Sequence, residues 1–226
     1  MSNILPVITF IFPRLRSFLS PCIIIIALLI LQKFYFKDYK KMLLYMIFSL
    51  YLLFVFRITK LPDSLRLHFN PRLQLIPFYG IHKDLFNSAL NIFLFVPFGF
   101  FLPALWRQFF SFKNTVITAL CFTAFIEISQ LFCNRLTDIN DILMNTLGAV
   151  IGYCILLIIT KPFPKLFQHE FKKRECVLIF AITFSMAFFL DPMIYHLLKD
   201  IQKLPSSYAF IVPLGFITSR FHSFLP

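Results

Sequence analysis

The chain has 226 residues, of which 59% are hydrophobic and only 14% charged, with 33 Phe and a mean hydropathy of +0.80. An ordinary globular domain carries about 25% charged residues, so a soluble domain is excluded. At about 20 apolar residues per helical crossing, the length suffices for six or seven crossings and leaves little chain outside a bilayer. Lys and Arg number 22 against 10 Asp and Glu, a formal charge of +12. The basic residues collect in the connections between apolar runs, where they meet anionic headgroups and set topology, and no nucleic-acid partner is expected.

Apolar stretches of spanning length occupy about 19–36, 42–58, 89–106, 115–133, 139–160 and 176–197, and a weaker seventh, 208–225, contains Arg220 and His222. Lipid offers no partner to an open strand edge, so these stretches are predicted to be helices. The expected fold class is all-α, a polytopic transmembrane bundle of six or seven spanning helices. It divides into an N-terminal segment with the first helix (1–41), a membrane domain (42–158), and a basic connection with the C-terminal helix or helices (159–226). At the N-terminus Arg14 and Arg16 follow the first apolar stretch and no small-residue cleavage site succeeds them, so no cleaved signal peptide is expected.

Connections 37–41, 107–114 and 161–175 hold 10 Lys and Arg in 28 residues, whereas 1–18, 59–88, 134–138 and 198–207 hold 9 in 63. The denser set is assigned to the cytoplasm, which puts segment 59–88 and the turn 134–138 together on the outer side. Segment 59–88 carries three prolines and Gly80 and reads as an irregular loop folded back onto the membrane surface. The five cysteines, Cys22, Cys121, Cys133, Cys154 and Cys176, lie in or beside apolar runs with no C-x-x-C pair, and the five histidines show no H-x-x-x-H spacing. No disulfide framework, metal site or cofactor is expected.

Polar residues enter the apolar helices in one region, 87–152. In the fourth span Thr123, Glu127, Gln130 and Asn134 are spaced 4, 3 and 4 and share a face; in the fifth, Asp138, Asp141, Asn145, Gly148 and Gly152 are spaced 3, 4, 3 and 4. Only the turn around Arg135 joins these antiparallel helices, so the two stripes converge at the outer end. Asn87 and Asn91 place an amide pair at the outer start of the third span. Glu127 lies six residues, about 9 Å of rise, before the predicted end of its helix. An unpaired acid at that depth costs roughly 2.5–3.5 kcal/mol on insertion scales, so Glu127 requires a partner, with Arg135 and Arg57 the candidates, or a proton. Simpler roles exist for the others: Asp138 and Asp141 suit a helix N-terminus, Gly148 and Gly152 a close helix contact, Asn91 and Asn145 interhelical hydrogen bonds, and Pro97 a kink.

The ordered combination Asn91…Pro97-x-Gly99, Glu127-x-x-Gln130 and Arg135-x-x-Asp138-x-x-Asp141-x-x-x-Asn145-x-x-Gly148-x-x-x-Gly152 resembles the VanZ-like family of bacterial integral membrane proteins. Gln74-Leu-Ile-Pro77-Phe78 stands where that pattern has Asn-Leu-Ile-Pro-Phe. The resemblance implies a multi-pass protein of the bacterial plasma membrane, in a family named for low-level resistance to the glycopeptide teicoplanin. On this reading Asn91, Glu127, Gln130, Arg135, Asp138, Asp141 and Asn145 line an outer-leaflet site for a lipid-linked or otherwise amphiphilic envelope ligand, while Pro97, Gly99, Gly148 and Gly152 shape the packing. Two alternatives stand beside it. One is an intramembrane enzyme acting on a lipid headgroup, with Glu127, Asp138 and Asp141 as candidate catalytic residues; the other is an architectural or partner-binding membrane module without chemistry, in which the stripes only join helices.

Overall fold

A computed structural model describes residues 19–31, 33, 38–61, 67–79, 85–133, 135–162 and 172–202. The expected seventh span 208–225, Gly80, Asn134 and most of the basic connection after residue 162 lie outside the described residues. The fold is an all-α bundle. Helices α1 (Leu19–Leu31), α2 (Tyr39–Ile58), α3 (Leu85–Leu105), α4 (Phe112–Gln130) and α5 (Ile139–Thr160) are followed by a rod in which α6 (Lys173–Ser185) passes through a π-helical turn (Met186–Leu190) into α7 (Asp191–Gln202). Five helices are long and apolar enough to cross a bilayer: α2, α3, α4, α5 and the Lys173–Leu197 part of the rod. Of the first expected span, 19–36, α1 to Leu31 and residue 33 are described, and residues 32 and 34–36 lie outside the described residues.

Local chemistry sets the ends of these helices. Asp38 begins α2, its Oδ1 accepting the Lys40 and Lys41 amides at 2.9 and 3.3 Å. At the other end the Leu61 amide donates to the Phe56 carbonyl at 3.1 Å and the Lys60 amide to the Arg57 carbonyl at 3.3 Å, the two bonds of a Schellman turn. Lys60 holds the left-handed position of that turn, φ 55°, where glycine is usual and a side chain costs about 1–2 kcal/mol. Asp138 caps α5 through the Asn140 amide at 2.8 Å.

Helices α3 and α5 run in the same direction and are in backbone contact, because three positions lack side chains. A Cβ on Gly99 would lie 1.9 Å from the Ala149 carbonyl oxygen, one on Gly148 2.2 Å from that of Ile92, and one on Gly152 2.0 Å from that of Val96. Pro97 and Pro103 both lie inside α3, which continues through them from Leu85 to Leu105, and the Tyr51 hydroxyl donates to the Leu94 carbonyl at 2.8 Å. An aromatic core fills the space between α2, α3, α4 and α6. Phe98 stacks on Phe122 at 4.8 Å, and Phe48 meets Trp106 and Phe180 edge-on at 5.4 and 5.7 Å.

The segment expected to be an irregular loop is more ordered than that. Residues Arg72–Gln74 (β1) pair in parallel with Leu136–Asp138 (β2), Arg72 facing Leu136 and Gln74 facing Asp138, and His68 bridges to Cys133. The His68 and Asn70 amides donate to the carbonyls of Phe132 and Leu131 at 3.1 and 3.0 Å. The backbone groups left over at the α4–α5 turn thus find partners in the segment before α3, as main-chain polar groups beside a membrane require. The flap so formed turns Phe69, Leu75, Ile76, Phe78 and Tyr79 outward, each more than 60% exposed, at the end of the bundle that carries the α4–α5 turn.

Candidate functional site

The α4–α5 turn end gathers polar side chains from three helices and the flap. From α4 come Thr123, Glu127 and Gln130, all at most 2% exposed, on the face turned toward α5 and the end of α2. Glu127 Oε2 accepts the Asp138 amide at 3.0 Å and the Glu127 carbonyl accepts the Thr137 hydroxyl at 3.1 Å. The buried acid is therefore tied across the hairpin to the first residues of α5. Its direct contact is a backbone N–H, while Asp141, Arg135 and Asp138 act on it through their charges.

Asp141, one turn into α5, accepts the Asn91 side-chain amide at 2.6 Å, which joins α5 to the start of α3. Asn145, one turn deeper, donates to the Thr123 hydroxyl at 2.7 Å and so bridges α5 to α4. Gln130 Nε2 and Arg135 Nη1 converge on one acceptor, the Thr59 carbonyl after the end of α2, at 2.9 and 2.8 Å. Of the stripe residues among the described ones, Thr123, Glu127, Asp138 and Asn145 thus bridge the hairpin, Asp141, Gly148 and Gly152 face α3, and Gln130 faces the end of α2.

Two acceptors there have no partner among the described residues: Gln130 Oε1 and Asn145 Oδ1, on residues 2% and 3% exposed. Leaving a buried carbonyl oxygen unpaired costs on the order of 1–3 kcal/mol. With the carboxyl groups of Glu127, Asp138 and Asp141, acceptors outnumber donors there, and Gln74 Nε2, on the strand residue facing Asp138, is a buried donor likewise without a partner among the described residues. Its guanidinium, on Arg135, is already engaged with Thr59. Among the described residues no group of three His, Cys, Asp or Glu is arranged to hold a metal ion.

Two features were not expected from sequence. Asn140 accepts the Phe78 amide at 2.6 Å and donates to the Tyr79 carbonyl at 3.2 Å, clasping the flap to the N-terminus of α5. It sits beside Asp141, about 100° around the helix from the polar stripe, so face-counting passes over it. The second is the partner of Arg57. Instead of reaching Glu127, its Nη2 lies 3.0 Å from Asp191 Oδ1 and 3.1 Å from Ser20 Oγ. Ser20 also donates to Asp191, so α1, α2 and the rod meet in one polar node. Arg57 lies on the face of α2 turned to α1 and α7, which settles its choice.

No curated protein and no solved structure matches the chain. The VanZ/LLP1 family matches residues 42–160, a stretch that contains α3, α4, α5, both strands and every polar residue of the hairpin site. Since that stretch is more than half of the 226 residues, the chain belongs to the VanZ/LLP1 family.

Proposed function

We propose that this VanZ/LLP1 protein binds the hydrogen-bond-donating head of an envelope amphiphile at the α4–α5 end, in the outer leaflet of a bacterial plasma membrane, and thereby lowers susceptibility to teicoplanin-type glycopeptides. Asn91, Glu127, Gln130, Arg135, Asp138, Asp141 and Asn145 line the site. The observation that carries the reading is the acceptor surplus: two buried amide oxygens without partners stand on the same helices as a buried carboxylate. Hydroxyl and amide groups, such as those of a lipid-linked wall precursor or a glycopeptide, are the chemistry that satisfies them. The exposed aromatic and aliphatic side chains of the flap suit the apolar tail of the same molecule. Arg135 contributes by holding the end of α2 in place through Thr59, which orients the wall of the site.

The test is expression in a susceptible bacterial host with teicoplanin susceptibility as the readout. Glu127→Gln keeps an oxygen for the Asp138 amide and removes only the acid. The wild type is expected to lower susceptibility and Glu127→Gln to abolish the effect at equal membrane abundance. A wild type without effect, or a Glu127→Gln variant with the full effect, refutes the proposal.

A further inference from the structure

Two cavities lie away from the hairpin, around the π-helical turn of the rod. A cavity of about 340 Å³ opens between the end of α2 and α7, with Arg57, Lys60, Asp191 and Tyr195 as polar lining over an apolar floor that includes Phe56 and Leu61. A second cavity, about 300 Å³, lies between α1 and α6 and is lined by apolar side chains from Ile23 and Ala27 on one side to Ala181, Met186 and Leu190 on the other, with Ser185 as its one polar side chain. The two share one short stretch of chain: Met186 and Leu190 face the apolar cavity, Ala187 and Asp191 the polar one. Ser20, one turn before Ile23 on α1, donates to Asp191 and so lies near both.

Their order along the rod is that of a lipid. The polar cavity sits at the level of the α2 end, where that helix leaves the apolar layer, and the apolar one runs deeper, from Leu190 back to Ala181, about 14 Å of helix. Two cations, Arg57 and Lys60, oppose one anion, Asp191, and the Lys199 ammonium lies 5.8 Å from the centre of the Tyr195 ring at the margin. The balance is positive, which selects an anionic head. Asp191, 6% exposed and bonded to both Arg57 and Ser20, orients the guanidinium. The π-helical turn fits the same picture, since such turns concentrate at functional sites.

We infer that these two neighbouring cavities together bind one anionic phospholipid, with its phosphate on Arg57 and Lys60 and an acyl chain between α1 and α6. Free phosphate would share the head chemistry without the chain. The site is separate from the proposed glycopeptide function and stands without it.

Native mass spectrometry of the full chain, given an equimolar mixture of phosphatidylglycerol and phosphatidylcholine with identical acyl chains, tests the inference. One surface cation contributes enough to favour the anionic lipid by about five-fold, and at least that preference is expected. Lys60 is exposed, so Lys60→Glu reverses a charge without touching the Arg57–Asp191 pair, and it is expected to remove the preference. Ala181→Phe is expected to lower occupancy by both lipids while keeping their ratio, because it fills the chain cavity alone. Equal binding of the two lipids by the wild type, an unchanged preference in Lys60→Glu, or unchanged occupancy in Ala181→Phe overturns the inference. Complete displacement of phosphatidylglycerol by inorganic phosphate also overturns it, since the site would then be one for phosphate.

Discussion

Gly152→Ala adds a single methyl group at the point where α3 and α5 touch. Its carbon would stand 2.0 Å from the Val96 carbonyl oxygen and 2.9 Å from the Phe100 nitrogen, both backbone atoms that cannot rotate away. Carbon and carbonyl oxygen approach to about 3.3 Å at the closest, so the helices must separate locally by about 1.3 Å. Overpacking of this kind costs about 1–3 kcal/mol. For a chain of this length that corresponds to a melting temperature lower by about 3–10 °C. The single tryptophan, Trp106, is fully buried against Tyr45 and supplies the signal for thermal unfolding in detergent. The same separation would draw Asn91 from Asp141, whose 2.6 Å bond has less than 1 Å to spare before it ceases to be one. A Gly152→Ala protein that melts within a degree of wild type would refute the argument that backbone contact between α3 and α5 organises the domain.

Asn140→Ala should release the flap, with faster amide exchange and protease cleavage across 67–79, while melting changes by no more than a few degrees; protection equal to wild type would show that the strand pairing alone holds it. At the Arg57–Asp191 node, Arg57→Met and Asp191→Leu should each destabilise by leaving a charge without its partner, and the double variant should melt above both single ones; a double variant below both would mean that the two losses add and the charges are not coupled. Burial pushes the Cys133 thiol above its ordinary range, so at pH 8 it should alkylate more slowly than an exposed thiol, with a rate still climbing past pH 9 as thiolate forms. Measured with the other four cysteines changed to serine, a rate that levels off by pH 8.5 would contradict that burial.

Apolar length carried most of the fold. The expected 139–160 is α5 itself, and 42–58, 89–106 and 115–133 differ from α2, α3 and α4 by four residues or fewer at any end, because a helix in lipid must satisfy its own backbone wherever apolar residues persist. The stripe Glu127, Gln130 and Asp141, Asn145 was legible for the same reason: few polar residues interrupt the helices, and helical spacing sorts those that do onto faces. What stayed hidden depended on partners distant in sequence. A three-residue strand has no periodicity to read, and β1 exists only because Leu136–Asp138 lies beside it. Asp191 sits at the π-helical turn, and nothing in the local sequence announces that Arg57, 134 residues earlier, points to it. Charge density along loops could not reveal that Arg135 would spend itself on the Thr59 carbonyl, since that acceptor belongs to the backbone.

The parallel pairing of β1 with β2 has a consequence for the order in which the molecule is made. Arg72 and its partner Leu136 are separated by the whole of α3 and α4, so the ribbon can close only after both helices have emerged and crossed the membrane. Helices inserted one by one are stable individually and associate afterwards. The flap is therefore a late latch: until α4 has returned the chain to the same side, the main-chain groups of residues 67–79 wait without their strand partners, and their closure over the hairpin comes after the helices are in place.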